Sequence, residues 1–101
     1  MTRELLREWY GFVKWQPCAA CGAYPPTEAA HVRALRSDKT GDLLPRSHKG
    51  RAAWGCVPLC KECHLKQHTM SEDQFADLTG IDYGSIISTN LVRFFVEGRR
   101  D

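Results

Sequence analysis

Val57-Pro58-Leu59-Cys60-Lys61-Glu62-Cys63-His64-Leu65-Lys66-Gln67-His68 is the stretch on which the fold turns. Gly55 to Leu59 is short and apolar and predicts a strand. Cys60 to about Thr69 predicts a helix. Cys60 and Cys63 enclose two residues, a spacing that lets two thiolates face one tetrahedral ion. His64 and His68 are four apart, which on a helix puts both imidazoles on one face, one turn apart, able to share a metal. A structural ion at the cysteines would fix the start of the helix, and a second ion could sit farther along it.

The missing half of the thiolate site lies upstream. Cys18-Ala19-Ala20-Cys21 repeats the spacing, with 38 residues between the two pairs. Two such turns complete a closed four-thiolate zinc site. The fifth cysteine, Cys56, sits in the apolar run Trp54-Gly55-Cys56-Val57-Pro58-Leu59 and is expected in the core rather than on the metal. An odd cysteine count argues against a disulfide framework. Residues 1–20 are charged throughout and lack an apolar signal core, so a cytoplasmic setting is expected. No apolar run approaches the ~20 residues that span a bilayer. At 101 residues the chain is one domain with a thin core, a size that often adds a metal staple. Its 43% hydrophobic and 26% charged residues exclude a disordered or fibrous chain.

Outward from the two cysteine pairs, residues 3–15 predict a helix capped by Thr2, with Leu5, Leu6, Trp9, Tyr10 and Val13 at helical spacing. Ala29 to Leu35 predicts a short strand carrying His31. Ser37 to Arg51 is polar, contains Gly41, Pro45 and Gly50, and predicts a loop. Ser71-Glu72-Asp73-Gln74 is a capping-box pattern opening a helix that Gly80 closes. A last helix is expected from Asp82 or Tyr83 to Glu97, its Ile86, Ile87, Leu91, Phe94, Phe95 and Val96 serving the core. The expected fold class is α+β in one domain over 1–101: an N-terminal helix (1–15), a zinc-stapled core (16–70) and C-terminal helices (71–101).

The formal net charge of +2 is uninformative, but its distribution is not. Between Arg33 and Lys66 stand Arg33, Arg36, Lys39, Arg46, Lys49, Arg51, Lys61 and Lys66, opposed only by Asp38, Asp42 and Glu62. A positive field between the two cysteine pairs is suited to phosphate contacts.

Taken together, Cys18-x2-Cys21, Glu28-Ala29-Ala30-His31 and Val57-Pro58-Leu59-Cys60-x2-Cys63-His64-x3-His68 resemble an HNH endonuclease, most closely the small phage and prophage members. The resemblance covers roughly residues 15–82. It implies a ββα-metal, treble-clef-like core with a structural four-cysteine zinc site, and metal-dependent hydrolysis of DNA phosphodiester bonds. By position, His31 matches the general base, and His64 and His68 match ligands of a catalytic Mg²⁺ or Mn²⁺. Cys18, Cys21, Cys60 and Cys63 match the structural zinc ligands. Arg33, Arg36, Lys39, Arg46, His48, Lys49 and Arg51 are the expected nucleic-acid contacts. DNA is the implied partner and no membrane is. One such site cuts one strand, so a homodimer is one route to a double-strand break. Two positions depart from the family pattern: Ala30 stands where most members carry a metal-binding Asp or His, and Gly55 near where most carry Asn. Asp42, Ser47 or His48 are candidates to compensate. An inactive zinc-stapled nucleic-acid-binding module would share the cysteine pairs and the basic segment, but would not need the helical histidine pair. A protein-interaction module would instead use the Ile86–Val96 helix as its docking face.

Overall fold

Two short strands form an antiparallel ribbon in the computed structural model, which describes residues 2–32 and 54–98. They are β1, Glu28–His31, and β2, Cys56–Leu59. Glu28 pairs with Leu59, Ala29 with Pro58, Ala30 with Val57 and His31 with Cys56. β2 is buried along its whole length, which is why it reads as an unbroken apolar run rather than an alternation.

A two-stranded ribbon is not stable alone. Here the strand period of two divides its side chains between two apolar clusters. Ala30, Val32, Val57 and Leu59 join Cys18, Phe75 and Ile87 in one. Cys56 joins Trp9, Val13 and Phe94 in the other. Cys56 is fully buried, as its apolar setting predicts.

Helix α1 spans Arg3–Lys14, and the Thr2 hydroxyl accepts from the Leu5 N–H at 3.1 Å. The carbonyls at its C-terminal end are met by buried Thr27. The Thr27 N–H donates to Lys14 at 2.7 Å and its hydroxyl donates to Gln16 at 3.0 Å. The Trp9 indole N–H donates to the Trp54 carbonyl at 2.9 Å, and its ring meets Phe94 edge-on at 5.4 Å. Trp9 thereby ties α1 both to the approach to β2 and to the C-terminal end of the chain.

Helix α2, Lys61–His68, leaves β2 directly with Cys60 as its N-cap. Helix α3, Glu72–Thr79, opens on the expected capping box: Ser71 Oγ accepts from the Gln74 N–H and Gln74 Oε1 from the Ser71 N–H, both at 3.1 Å. It closes on Gly80 at φ 76°, the left-handed conformation that disfavours a Cβ. Helix α4, Tyr83–Arg93, starts from Asp82, whose carboxylate accepts from the Ser85 N–H at 3.2 Å.

The described residues thus form a small α+β fold of four α-helices and a two-stranded antiparallel sheet. It differs from expectation at the ends of several elements. β1 begins at Glu28, one residue early, and its ladder ends at His31, while Arg33 to Leu35 of the expected strand lie outside the described residues. The ladder on β2 begins at Cys56 rather than Gly55, although the Gly55 carbonyl still accepts from the Val32 N–H at 2.8 Å. The last helix is not uniform to Glu97. It widens into a π-helical turn over Phe94–Gly98, where Phe94 packs against Trp9 and, at 5.6 Å, Phe12. The loop expected over Ser37 to Arg51 lies outside the described residues. Among the described residues no helix is long and apolar enough to cross a membrane.

Candidate metal centre

The first cysteine pair sits in a tight turn. The Cys18 N–H donates to Ala23 O at 3.0 Å, and the Gly22 N–H donates to Cys18 O at 2.8 Å. Gly22 has φ 77°, so the turn needs glycine for its backbone although a side chain there would meet open space. The Ala19 N–H donates to Pro58 O at 2.8 Å, fastening this turn to β2. The second pair needs no special turn. Cys60 is the extended N-cap residue of α2 and Cys63 lies in its first turn.

These two pieces bring four sulfurs together. The Sγ atoms of Cys18, Cys21, Cys60 and Cys63 all lie within 4.8 Å of one another, and Cys21 and Cys60 are 3.7 Å apart. A tetrahedral ion with Zn–S bonds of about 2.3 Å sets its sulfurs roughly 3.8 Å apart. The cluster can hold a structural metal ion such as zinc.

The electrostatics of the thiols fit that use. Burial pushes the Cys18 thiol up, but the backbone N–H groups of Cys60, Cys21 and Ala20 outweigh it and bring it down to about 6. Burial raises Cys63, reinforced by the sulfurs of Cys60, Cys18 and Cys21 and by the charge on Cys18. One thiolate forms readily and opposes the next, a repulsion that a dication relieves. Cys56 contrasts with them: burial pushes its thiol up to about 12, only partly offset by Trp9, so it stays protonated and apolar in character.

The histidines form a second group beside this one. His64 and His68 lie one turn apart on α2 with ring centroids 4.8 Å apart, as the i,i+4 spacing requires. His64 Nδ1 is 2.8 Å from Glu28 Oε1 on β1. His31 and His68 line one cleft of about 360 Å³ with Gln67, Met70, Ser71 and Glu72. Buried Gln67 is held there by its amide, which donates to Tyr83 Oη at 3.2 Å; that hydroxyl donates in turn to the Glu72 carbonyl at 3.1 Å. At the end of β1, His31 Nε2 is 3.2 Å from the hydroxyl of Tyr10 on α1.

His64 and His68 are close enough in the fold to be considered as a pair of cation ligands. Metal–imidazole bonds of about 2.0–2.1 Å would require the two ligand nitrogens to stand no more than ~4.2 Å apart, and the ring centroids are 4.8 Å apart. With Glu28 on its Nδ1, His64 would use Nε2. Among the described residues, however, no second group of three or more His, Cys, Asp or Glu converges as the cysteines do. Arg33, Arg36, Lys39, Arg46, His48, Lys49 and Arg51 lie outside the described residues, as do Asp42 and Ser47. Ala30, where the resemblance implies a metal ligand, is fully buried and offers no polar group.

Two residues of this site are given no role by the sequence. Glu28 stands in the Glu28-Ala29-Ala30-His31 segment, where the resemblance gives a role to His31 alone, and the strand period of the observed β1 puts it on the same side as Ala30. Tyr10 reads as one more member of the apolar stripe of α1. No protein-family model, curated protein or solved structure matches the chain.

Proposed function

We propose that the protein is a metal-dependent endonuclease of the HNH type, with a zinc-stapled ββα-metal core that hydrolyses DNA phosphodiester bonds. The observation that carries this proposal is the cleft lined by both His31 of β1 and His68 of α2, the helix whose other end carries half of the four-cysteine cluster. A nucleic-acid-binding module needs the cluster but has no use for imidazoles brought to one cleft from a strand and a helix.

The chemistry is the attack of water on an anionic phosphodiester with a poor leaving group. His64 and His68 would hold a divalent ion, Mg²⁺ or Mn²⁺, which when bound would supply charge stabilisation for the crowded phosphorus and the departing oxygen. His31 takes the proton from the attacking water as the new P–O bond forms. The P–O bond to the leaving sugar oxygen breaks, and that oxygen acquires a proton from solvent. Tyr10 holds the His31 ring, Glu28 holds that of His64, and the zinc cluster fixes the start of α2. A reducing cytoplasm would keep the four thiols available to zinc.

Plasmid nicking with Mn²⁺ or Mg²⁺, with and without a chelator, tests the proposal. Wild-type protein should nick, and His31→Ala should lose ~10²–10⁴-fold in rate while still binding DNA. Wild-type protein that binds DNA but never nicks it, with either ion, would leave an inactive binding module instead.

A further inference from the structure

Glu28 is not needed for the hydrolysis as such, yet its carboxylate makes a short contact to one of the two proposed cation ligands. We propose that Glu28 is a positioning residue for the cation site on α2: it accepts from the Nδ1–H of His64, fixes that imidazole in one tautomer and leaves Nε2 for the ion. The inference rests on the placement of a divalent ion at His64 and His68.

Three observations lead to it. First, the pairing of β1 with β2 sets Glu28 opposite Leu59, the residue before the N-cap of α2, so the carboxylate stands beside the first turns of that helix. Second, the 2.8 Å separation from His64 Nδ1 is that of a charge-assisted hydrogen bond. Third, the Glu28 side chain is 49% exposed and that of His64 23%. A contact this open adds little to stability, so fold support does not account for it. What it controls is the ring. A neutral imidazole has one N–H and one lone pair, and only the nitrogen with the lone pair binds a cation. A carboxylate is an acceptor only, so it selects the form with hydrogen on Nδ1. The same face of β1 offers no alternative at Ala30, which is buried and apolar.

The test is Mn²⁺ binding to the full-length, zinc-loaded protein, read by the electron-paramagnetic signal of free Mn²⁺. Imidazole ¹⁵N shifts of the Mn²⁺-free protein report the tautomer separately. Glu28→Ala should weaken Mn²⁺ by ~10–100-fold, the usual cost of losing a partner behind a metal-bound histidine. It should also raise the fraction of His64 with hydrogen on Nε2. Glu28→Gln keeps an oxygen that accepts from Nδ1–H and should lose less. Zinc content, which a fold defect would lower, should stay at the wild-type value in both. Unchanged Mn²⁺ affinity in Glu28→Ala, alongside loss in His64→Ala, overturns the role of Glu28 and leaves the nuclease proposal standing. Equal loss in the two Glu28 variants overturns the tautomer role and makes the carboxylate itself a ligand. Wild-type protein that takes up no Mn²⁺ beyond its zinc overturns the cation site together with this inference.

Discussion

The Tyr10 hydroxyl lies 3.2 Å from Nε2 of His31, with the two rings nearly perpendicular at 74°. For His31 to take a proton at Nδ1, Nε2 must carry the hydrogen and donate to the Tyr10 oxygen. A half-buried tyrosine from a separate helix is a firm acceptor, because α1 is locked in place through Trp9 and Thr27. Tyr10→Phe removes that acceptor and keeps the ring. It should lower kcat for nicking by about 10-fold, less than the ~10²–10⁴-fold of His31→Ala. KM for DNA and zinc content should not move. A fall in both kcat and zinc content would instead mark Tyr10 as a packing residue. This pairing was not legible in the sequence. Tyr10 occupies an apolar-face position at helical spacing, and nothing in its surroundings separates a hydroxyl that works from one that merely packs.

At the level of elements, legibility followed how local the cause was. The caps of α1 and α3 and the Gly80 stop are set within four residues, and each stands where the sequence puts it. The two cysteine pairs are equally local, and four sulfurs at closed-site spacing could be read from them without the fold. The widened turn at Phe94–Gly98 could not, because it coincides with packing against Trp9 and Phe12, more than 80 residues away. The lengths of the strands were blurred for the same reason, since a ladder ends where its partner does. The metal staple joins the local to the distant, and this makes it testable. Structural zinc sites contribute on the order of 10 kcal/mol or more to folding. Cys60→Ser removes a ligand at the N-cap of α2. It should take zinc from one per chain towards none, and abolish or sharply lower the cooperative thermal transition. Cys56→Ser, in the core four residues earlier, should leave the zinc stoichiometry at one. Metal analysis alongside a thermal melt separates the two, and equal zinc loss in both would place Cys56 on the metal.

Over the whole molecule the nuclease proposal asks where DNA would lie, and charge is the guide. The formal charge is only +2, so the proposed DNA binding calls for a concentrated positive field rather than a broad one. Six of the fourteen basic residues fall between Arg33 and Arg51, a segment bounded by His31 at one end and, through Trp54, by β2 at the other. The segment itself lies outside the described residues, so the case for it rests on its charge alone. Phosphate pairing there would position the duplex without reading its sequence. Replacing Arg46, Lys49 and Arg51 together by Ala makes the formal charge negative. It should weaken binding by a similar factor for unrelated DNA sequences. It should also flatten the plot of log affinity against log salt by about 0.9 for each phosphate no longer neutralised. Nicking at saturating DNA should survive, because none of the three is assigned a part in the chemistry. A salt slope equal to that of the wild type would move the DNA to another face. The exposed Lys61 and Lys66 on α2 would then be the next cations to replace, because they stand on the helix that carries His64 and His68.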